Sequence, residues 1–237
     1  GARRRGTAPG LRAPAVARSA AKRKGSSAGA GKPQPAAAAP KKRQAAPSAA
    51  DLEELPAAKE ALLRACAKAN YKSGVFTPPD ECKEIEAAAQ AVEQLNSATN
   101  IANTDSKMLT GEWKMLYSSA ESVAAGLWGP LIGDVTQTLE AGQKQFLCCA
   151  AFFGGALKLQ WYTTWTVVDN QSVTLPGEIW YPFLGDFRLS LWSLSNDEGV
   201  SLKMTYTDDK LRVFRQEKYD ARMGRFESDL FVFERSK

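Results

Sequence analysis

Few residues in this 237-residue chain are of a kind that does chemistry, and those few are poorly spaced for it. The chain has no histidine, which removes the imidazole base, the histidine-dependent triad and the His-Glu-x-x-His zinc site. Asp208 and Asp209 are adjacent in a turn-like "TDDK". An acid–base pair needs a defined separation across its substrate, so solvation of the turn is the better reading. Cys148 and Cys149 are also adjacent. On a strand they point to opposite faces and make a poor metal pair. With Cys66 and Cys82 they read as buried free thiols of a reducing compartment. There is no Gly-x-Ser-x-Gly, no phosphate-binding Gly-Lys-Ser/Thr loop and no Gly-x-Gly-x-x-Gly. What remains is Arg212, four residues after Asp208. The two could pair across a turn, or orient the polar head of an apolar molecule. The expectation is no catalytic residue, no metal and no cofactor.

Those two charges lie within a long region of period-two alternation. Leu157, Leu159, Trp161, Thr163, Trp165 and Val167 share one face, opposite Lys158, Gln160, Tyr162, Thr164 and Thr166. Val200, Leu202, Met204 and Tyr206 share another, and Phe187, Leu189 and Leu191 oppose Arg188, Ser190 and Trp192. Turn-forming clusters separate the runs, giving about eight or nine short consecutive strands, a meander that closes into a barrel or folds into a sandwich. A closed barrel of about eight strands has room for one small apolar ligand. All six tryptophans fall between 113 and 192, and such side chains either line a cavity or fill a core.

Before the strands the period is helical. Pro56 suits the first turn of a helix that carries Leu55, Leu62, Leu63 and Cys66 and ends near Asn70. "TPPDE" at 77–81 starts a second, with Thr77 as cap, and Cys82, Ile85, Ala89, Val92 and Leu95 along one face. The two make a helical hairpin with one apolar side.

The charge is divided. Residues 1–50 hold twelve Lys or Arg and no acid; subtracting from 31 basic and 26 acidic residues leaves 19 and 26, a net of −7 for residues 51–237. A folded part that is acidic argues against nucleic acid as a partner. Residues 1–50 bury too little apolar surface to fold and read as disordered. Their basic, acid-free composition fits an organelle transit peptide or a basic arm, with "PKKRQ" at 40–44 as a nuclear-type signal. No run of about 18–20 uncharged apolar residues suggests a transmembrane helix.

Four segments, in order, carry a resemblance: "LTGEWKMLYSSAES" at 109–122, "GPLIGDVTQTL" at 129–139, "TYTDDKLRVFRQ" at 205–216 and "LFVFERSK" at 230–237. Together they resemble the plastid-lipid-associated protein, or fibrillin, family over about residues 55–237. The resemblance implies a mainly β fold, a lipocalin-like antiparallel barrel over 109–237 preceded by the helical hairpin at 51–97, with 1–50 removed on plastid import. It implies a lipid or isoprenoid ligand, a plastoglobule or thylakoid surface as partner, and no enzyme activity. Trp113 would close one barrel end, with Tyr117 facing along it and Trp161 and Trp165 lining the interior. Tyr206, Asp208, Leu211, Arg212 and Arg215 match the C-terminal signature. Gln216 stands where the family usually has Gly, and residues 217–229 read as a longer excursion before the last strand. The apolar segment "GLWGPLIG" at 126–133, with Leu127, Trp128, Leu131 and Ile132, is the expected membrane contact, since its glycines and proline oppose a helix. Two rival classes are a coat protein of lipid bodies without an internal ligand and a small-molecule enzyme that does without histidine.

Overall fold

The structure, a computed structural model, describes residues 49–69, 73–96, 108–140, 142, 144–189, 193–196, 199–220 and 225–236. The readings made for the tail before residue 49, and for Ser190, Leu191 and Trp192, lie outside the described residues.

Helices α1 (Ala49–Lys68) and α2 (Pro79–Gln94) precede fourteen strand segments. The first is β1 (Gly111–Ser118). A small hairpin of β2 (Leu127–Trp128) and β3 (Leu131–Ile132) follows. The others are β4 (Asp134–Glu140), β5 (Gln145–Phe152), β6 (Leu157–Thr164), β7 (Thr166–Val167), β8 (Ser172–Leu175), β9 (Glu178–Leu184), β10 (Phe187–Arg188), β11 (Leu194–Asn196), β12 (Val200–Thr207), β13 (Leu211–Asp220) and β14 (Arg225–Arg235).

The register reduces these segments to eight staves. β6 and β7 are one strand interrupted at Trp165, whose N–H bonds to Lys144 O at 3.0 Å. They pair with β9 and β8 as the two arms of a single hairpin, Trp161 opposite Trp180 and Val167 opposite Val173. β10, β11 and β12 then run back along β9 and β8. With β12–β13, β13–β14, β14–β1, β1–β4, β4–β5 and β5–β6 all antiparallel, the ring of pairings closes. The fold is the expected up-and-down barrel. Its segment count exceeds the eight or nine expected because bends interrupt the staves.

Two apolar clusters result. The interior holds Trp113, Met115, Phe146, Phe152, Leu159, Trp161, Trp165, Trp180, Leu202, Met204, Phe214, Phe231 and Phe233, with others, all buried. The second cluster lies on the outer face of β1, β14, β13 and β12, where Tyr117, Tyr206, Leu211, Val213, Leu230 and Val232 meet Leu62, Ala65, Cys66, Ile85, Ala89 and Val92 of the helices. Strict alternation places Tyr117 with Trp113 and Tyr206 with Met204, both inward. The structure corrects this. Register shifts between Met115 and Tyr117 and between Met204 and Tyr206 each insert one residue, so both tyrosines turn outward onto the helical hairpin.

The hairpin is held by charge as well. On β13, Arg215 donates from Nε to Glu93 at 2.8 Å and from Nη2 to Glu86 at 2.8 Å, tying the barrel to α2. Four local readings are corrected. Pro56 lies inside α1, not in its first turn. Thr77 does not cap α2; its hydroxyl donates to Ser73 O at 2.9 Å, and Pro78 holds the cap position. Leu63 is exposed. Residues 217–220 and 225–229 are no excursion: β13 and β14 stay paired from Leu211–Glu234 out to Asp220–Arg225.

Candidate functional site

The two barrel ends differ in chemistry. At one end, Trp113 is fully buried and its Nε1 donates to Leu109 O at 3.1 Å. The Arg235 guanidinium lies 4.4 Å from the centre of its ring and donates to Asp209 O, Thr110 O and Met108 O. Every guanidinium nitrogen of Arg235 has a carbonyl, so this end is a plug. Trp113 lies at its centre.

Arg212 is not spent in that way. It alternates with Leu211 and Val213 and therefore faces inward beside Phe214, fully buried. Its Nη2 donates to Gln137 Oε1 at 2.5 Å, while Nε and Nη1 have no acceptor among the described residues. Burial, aided by nearby Arg235, lowers its pKa to about 9. The rings of Trp113, Phe214 and Phe233 lie 4.8–5.5 Å from the guanidinium carbon, an arrangement that offsets part of the cost of burying a cation. Trp161 and Trp165 also face inward, each with an Nε1 that has no acceptor among the described residues.

Asp208 is elsewhere. It neither pairs with Arg212 nor reaches the barrel interior. Its Oδ1 accepts from Lys210 N and Leu211 N and shapes the β12–β13 turn, while Oδ2 accepts from Tyr206 Oη at 2.7 Å and from Lys59 of α1. Burial alone would raise its pKa, but these donors, Lys59 foremost, outweigh it and hold the carboxyl below its usual range. Asp208 and Tyr206 thus fasten α1 to the barrel. Tyr117 is likewise a packing residue; burial raises its pKa and a hydrogen bond with Cys82 adds to this. Of the six expected ligand contacts, the interior gathers Trp113, Trp161, Trp165 and Arg212 and leaves out Tyr117 and Asp208.

The interior is well filled. A cavity of about 10 Å³ lies between Trp165, Met204 and Arg212, and a second of about 10 Å³ between Ala124, Trp161 and Phe231. Each is about the size that holds one water. A larger open groove of about 620 Å³ lies on the outer side of β4–β6, against Thr138, Leu147 and Tyr162.

The other barrel end is covered by residues 119–133. A short 3-10 turn, Val123–Ala125, leads into the β2–β3 hairpin, which is locked by Gly133 N to Gly126 O at 2.8 Å. The glycines and proline favour this tight hairpin over freely projecting side chains. Trp128 and Leu131 lean on the interior cluster, with the Trp128 ring 6.0 Å from Phe152. Leu127 is half-buried, and of the four expected membrane contacts Ile132 alone is exposed.

Around this lid the turns carry apolar tips that sequence reasoning missed. Phe153 is 69 % exposed in the β5–β6 turn, and Phe187, the first residue of β10, is 82 % exposed opposite Leu184 where the β9–β10 turn closes. Gly185 N donates to Ala156 O at 2.9 Å and joins these two turns. Phe153 has φ +53°, a conformation unfavourable for a bulky L-residue, followed by Gly154 and Gly155, also at positive φ. Val75 and Phe76 are exposed on the loop that Gly74 N pins to Ser118 O at the same end. Thus, among the described residues, six of the eleven exposed large apolar side chains cluster at the lid end (Val75, Phe76, Ile132, Phe153, Leu184, Phe187). The available signal was "FFGG" at 152–155: an aromatic beside a Gly-Gly turn is carried on its tip.

In comparison with known families, the PAP_fibrillin family profile matches residues 56–176, from within α1 to just beyond β8, more than half of the chain. No curated protein matches it.

Proposed function

The chain belongs to the PAP_fibrillin family, a lipid-associated family of plastids and not one of enzymes, and from that premise we propose a lipid-handling protein that acts without catalysis. It rests its lid end on the surface of a plastoglobule or thylakoid and takes a hydrophobic plastid lipid or isoprenoid into the barrel.

The observation that carries this reading is the concentration of exposed apolar tips around the lid. They sit on separate turns and form a projecting rim, a shape suited to sinking into a fluid surface. Among the described residues of this end, Lys158 pairs with Asp186 at 3.2 Å and Arg188 lies 3.8 Å from the centre of the Tyr181 ring, while Glu121 and Asp134 are exposed and add negative charge. The net −7 of residues 51–237 supplies no attraction to anionic lipid. Attachment must then rest on apolar contact. Burying a phenylalanine contributes about 1.5–3 kcal/mol. Removing two therefore weakens partitioning by roughly a hundredfold or more.

Flotation with neutral lipid droplets tests this. Phe153→Ser with Phe187→Ser should leave the protein folded and abolish flotation, whereas added salt should not release the unmodified protein. Undiminished flotation of the folded double variant would rule out the lid end as the anchor. A coat protein without an internal guest shares this docking and differs only inside the barrel.

A further inference from the structure

We infer that the guest of the barrel is an amphiphile with a carboxylate head, which passes beneath the 119–133 lid and settles against the guanidinium of Arg212. This rests on the reading that the barrel takes an internal guest, and it names the chemical class.

Three arginines of the barrel make the contrast. Arg215 is met by the carboxylates of Glu86 and Glu93, and Arg235 by three backbone carbonyls. Arg212, the most deeply buried, has one amide oxygen, two nitrogens without an acceptor and no ion pair among the described residues. Buried polar groups are nearly always satisfied, and buried charges nearly always paired. A site lacking both an acceptor and a negative charge is completed by a group that brings both. A quinone or ketone oxygen would bring the acceptor alone. A carboxylate brings the two together, in a planar form that matches the guanidinium.

The route is marked by the two cavities. The first is lined by Arg212 and by Trp165, whose free Nε1 is a second donor. The second reaches Ala124 of the lid segment. They share Gln137, Phe146, Leu175 and Leu202, so they follow one another from the lid toward Arg212. Both are far smaller than an acyl chain. The chain therefore takes its place by displacing flexible side chains along this line, Met204 and Leu202 among them. Trp161 and its free Nε1 lie beside the second cavity.

The test uses the full chain with cis-parinaric acid and its methyl ester, equal in chain and differing in charge. The acid should bind at least tenfold more tightly than the ester. Arg212→Met, checked for folding by circular dichroism, should bring the acid down to the level of the ester. Equal binding of acid and ester by the unmodified protein would overturn the carboxylate assignment and leave the interior site standing. Binding of neither, in protein that still floats with lipid droplets, would remove the interior guest and leave the surface docking. The acid–ester comparison needs no variant, so it holds even if Arg212→Met does not fold.

Discussion

Replacing Trp113 with alanine should lower the melting temperature by roughly 10 °C or more. The residue is fully buried, donates to Leu109 O and lies beside the guanidinium groups of both Arg212 and Arg235. Emptying a buried aromatic site costs about 3–5 kcal/mol. For a domain of this size each kcal/mol shifts the midpoint by about 2–4 °C. Part of the loss is electrostatic, because the buried Arg212 cation would lose one of the three aromatic faces around it. Trp113→Phe should recover much of the stability, since it restores a ring while giving up one hydrogen bond. Thermal unfolding followed by circular dichroism measures both. Equal destabilisation by the two variants would place the effect in the Nε1 hydrogen bond instead of the ring.

Gly126→Val should open the lid while the barrel stays folded. Gly126 has φ +80°, and a Cβ there would stand 2.5 Å from the carbonyl oxygen of Gly133, the residue whose N–H closes the lid hairpin. A β-branched residue at that φ is strained in itself, and the nearest obstacle is backbone, which cannot rotate aside. The combined cost is on the order of 2–4 kcal/mol. The lid joins the interior cluster through few and mostly small side chains (Trp128 and Leu131 with Ala120, Val123, Ala124 and Ala125), so relief comes from local opening. Hydrogen exchange over residues 123–133 should quicken by about a hundredfold or more, at about 1.4 kcal/mol per factor of ten. Exchange in β13 and β14 should stay slow. Loss of protection throughout the barrel would show that the lid and barrel unfold as one unit.

Much of the fold was legible because the staves alternate cleanly where nothing interrupts them. Along β6, Leu157, Leu159 and Trp161 turn inward as read, and Ile85, Ala89 and Val92 form the buried stripe of α2 as read. The failures share a cause. Tyr117 and Tyr206 sit one step past a register shift, and an inserted residue leaves the spacing of side-chain types unchanged while reversing the face that follows. Asp208 was misread because a carboxylate four residues from an arginine suggests a pair. Alternation instead sends Arg212 inward, and the turn keeps Asp208 with α1 outside. Arg212 itself could be read as an interior residue from Phe214 two places on. Its missing acceptors could not, because they depend on Gln137 arriving from β4, 75 positions earlier. Phe153 and Phe187 were hidden for the opposite reason: in a chain whose aromatics mostly pack, only the turn geometry distinguishes those held outside.

Hydrogen exchange of the unmodified protein with and without neutral lipid droplets reads out whether the lid end is the face that meets lipid. Binding should slow exchange at 128–132, 153–157 and 184–188 and leave the Trp113 end, at 208–211, as it is in solution. Protection confined to 208–211, with the lid-end turns unchanged in droplet-bound protein, would contradict it.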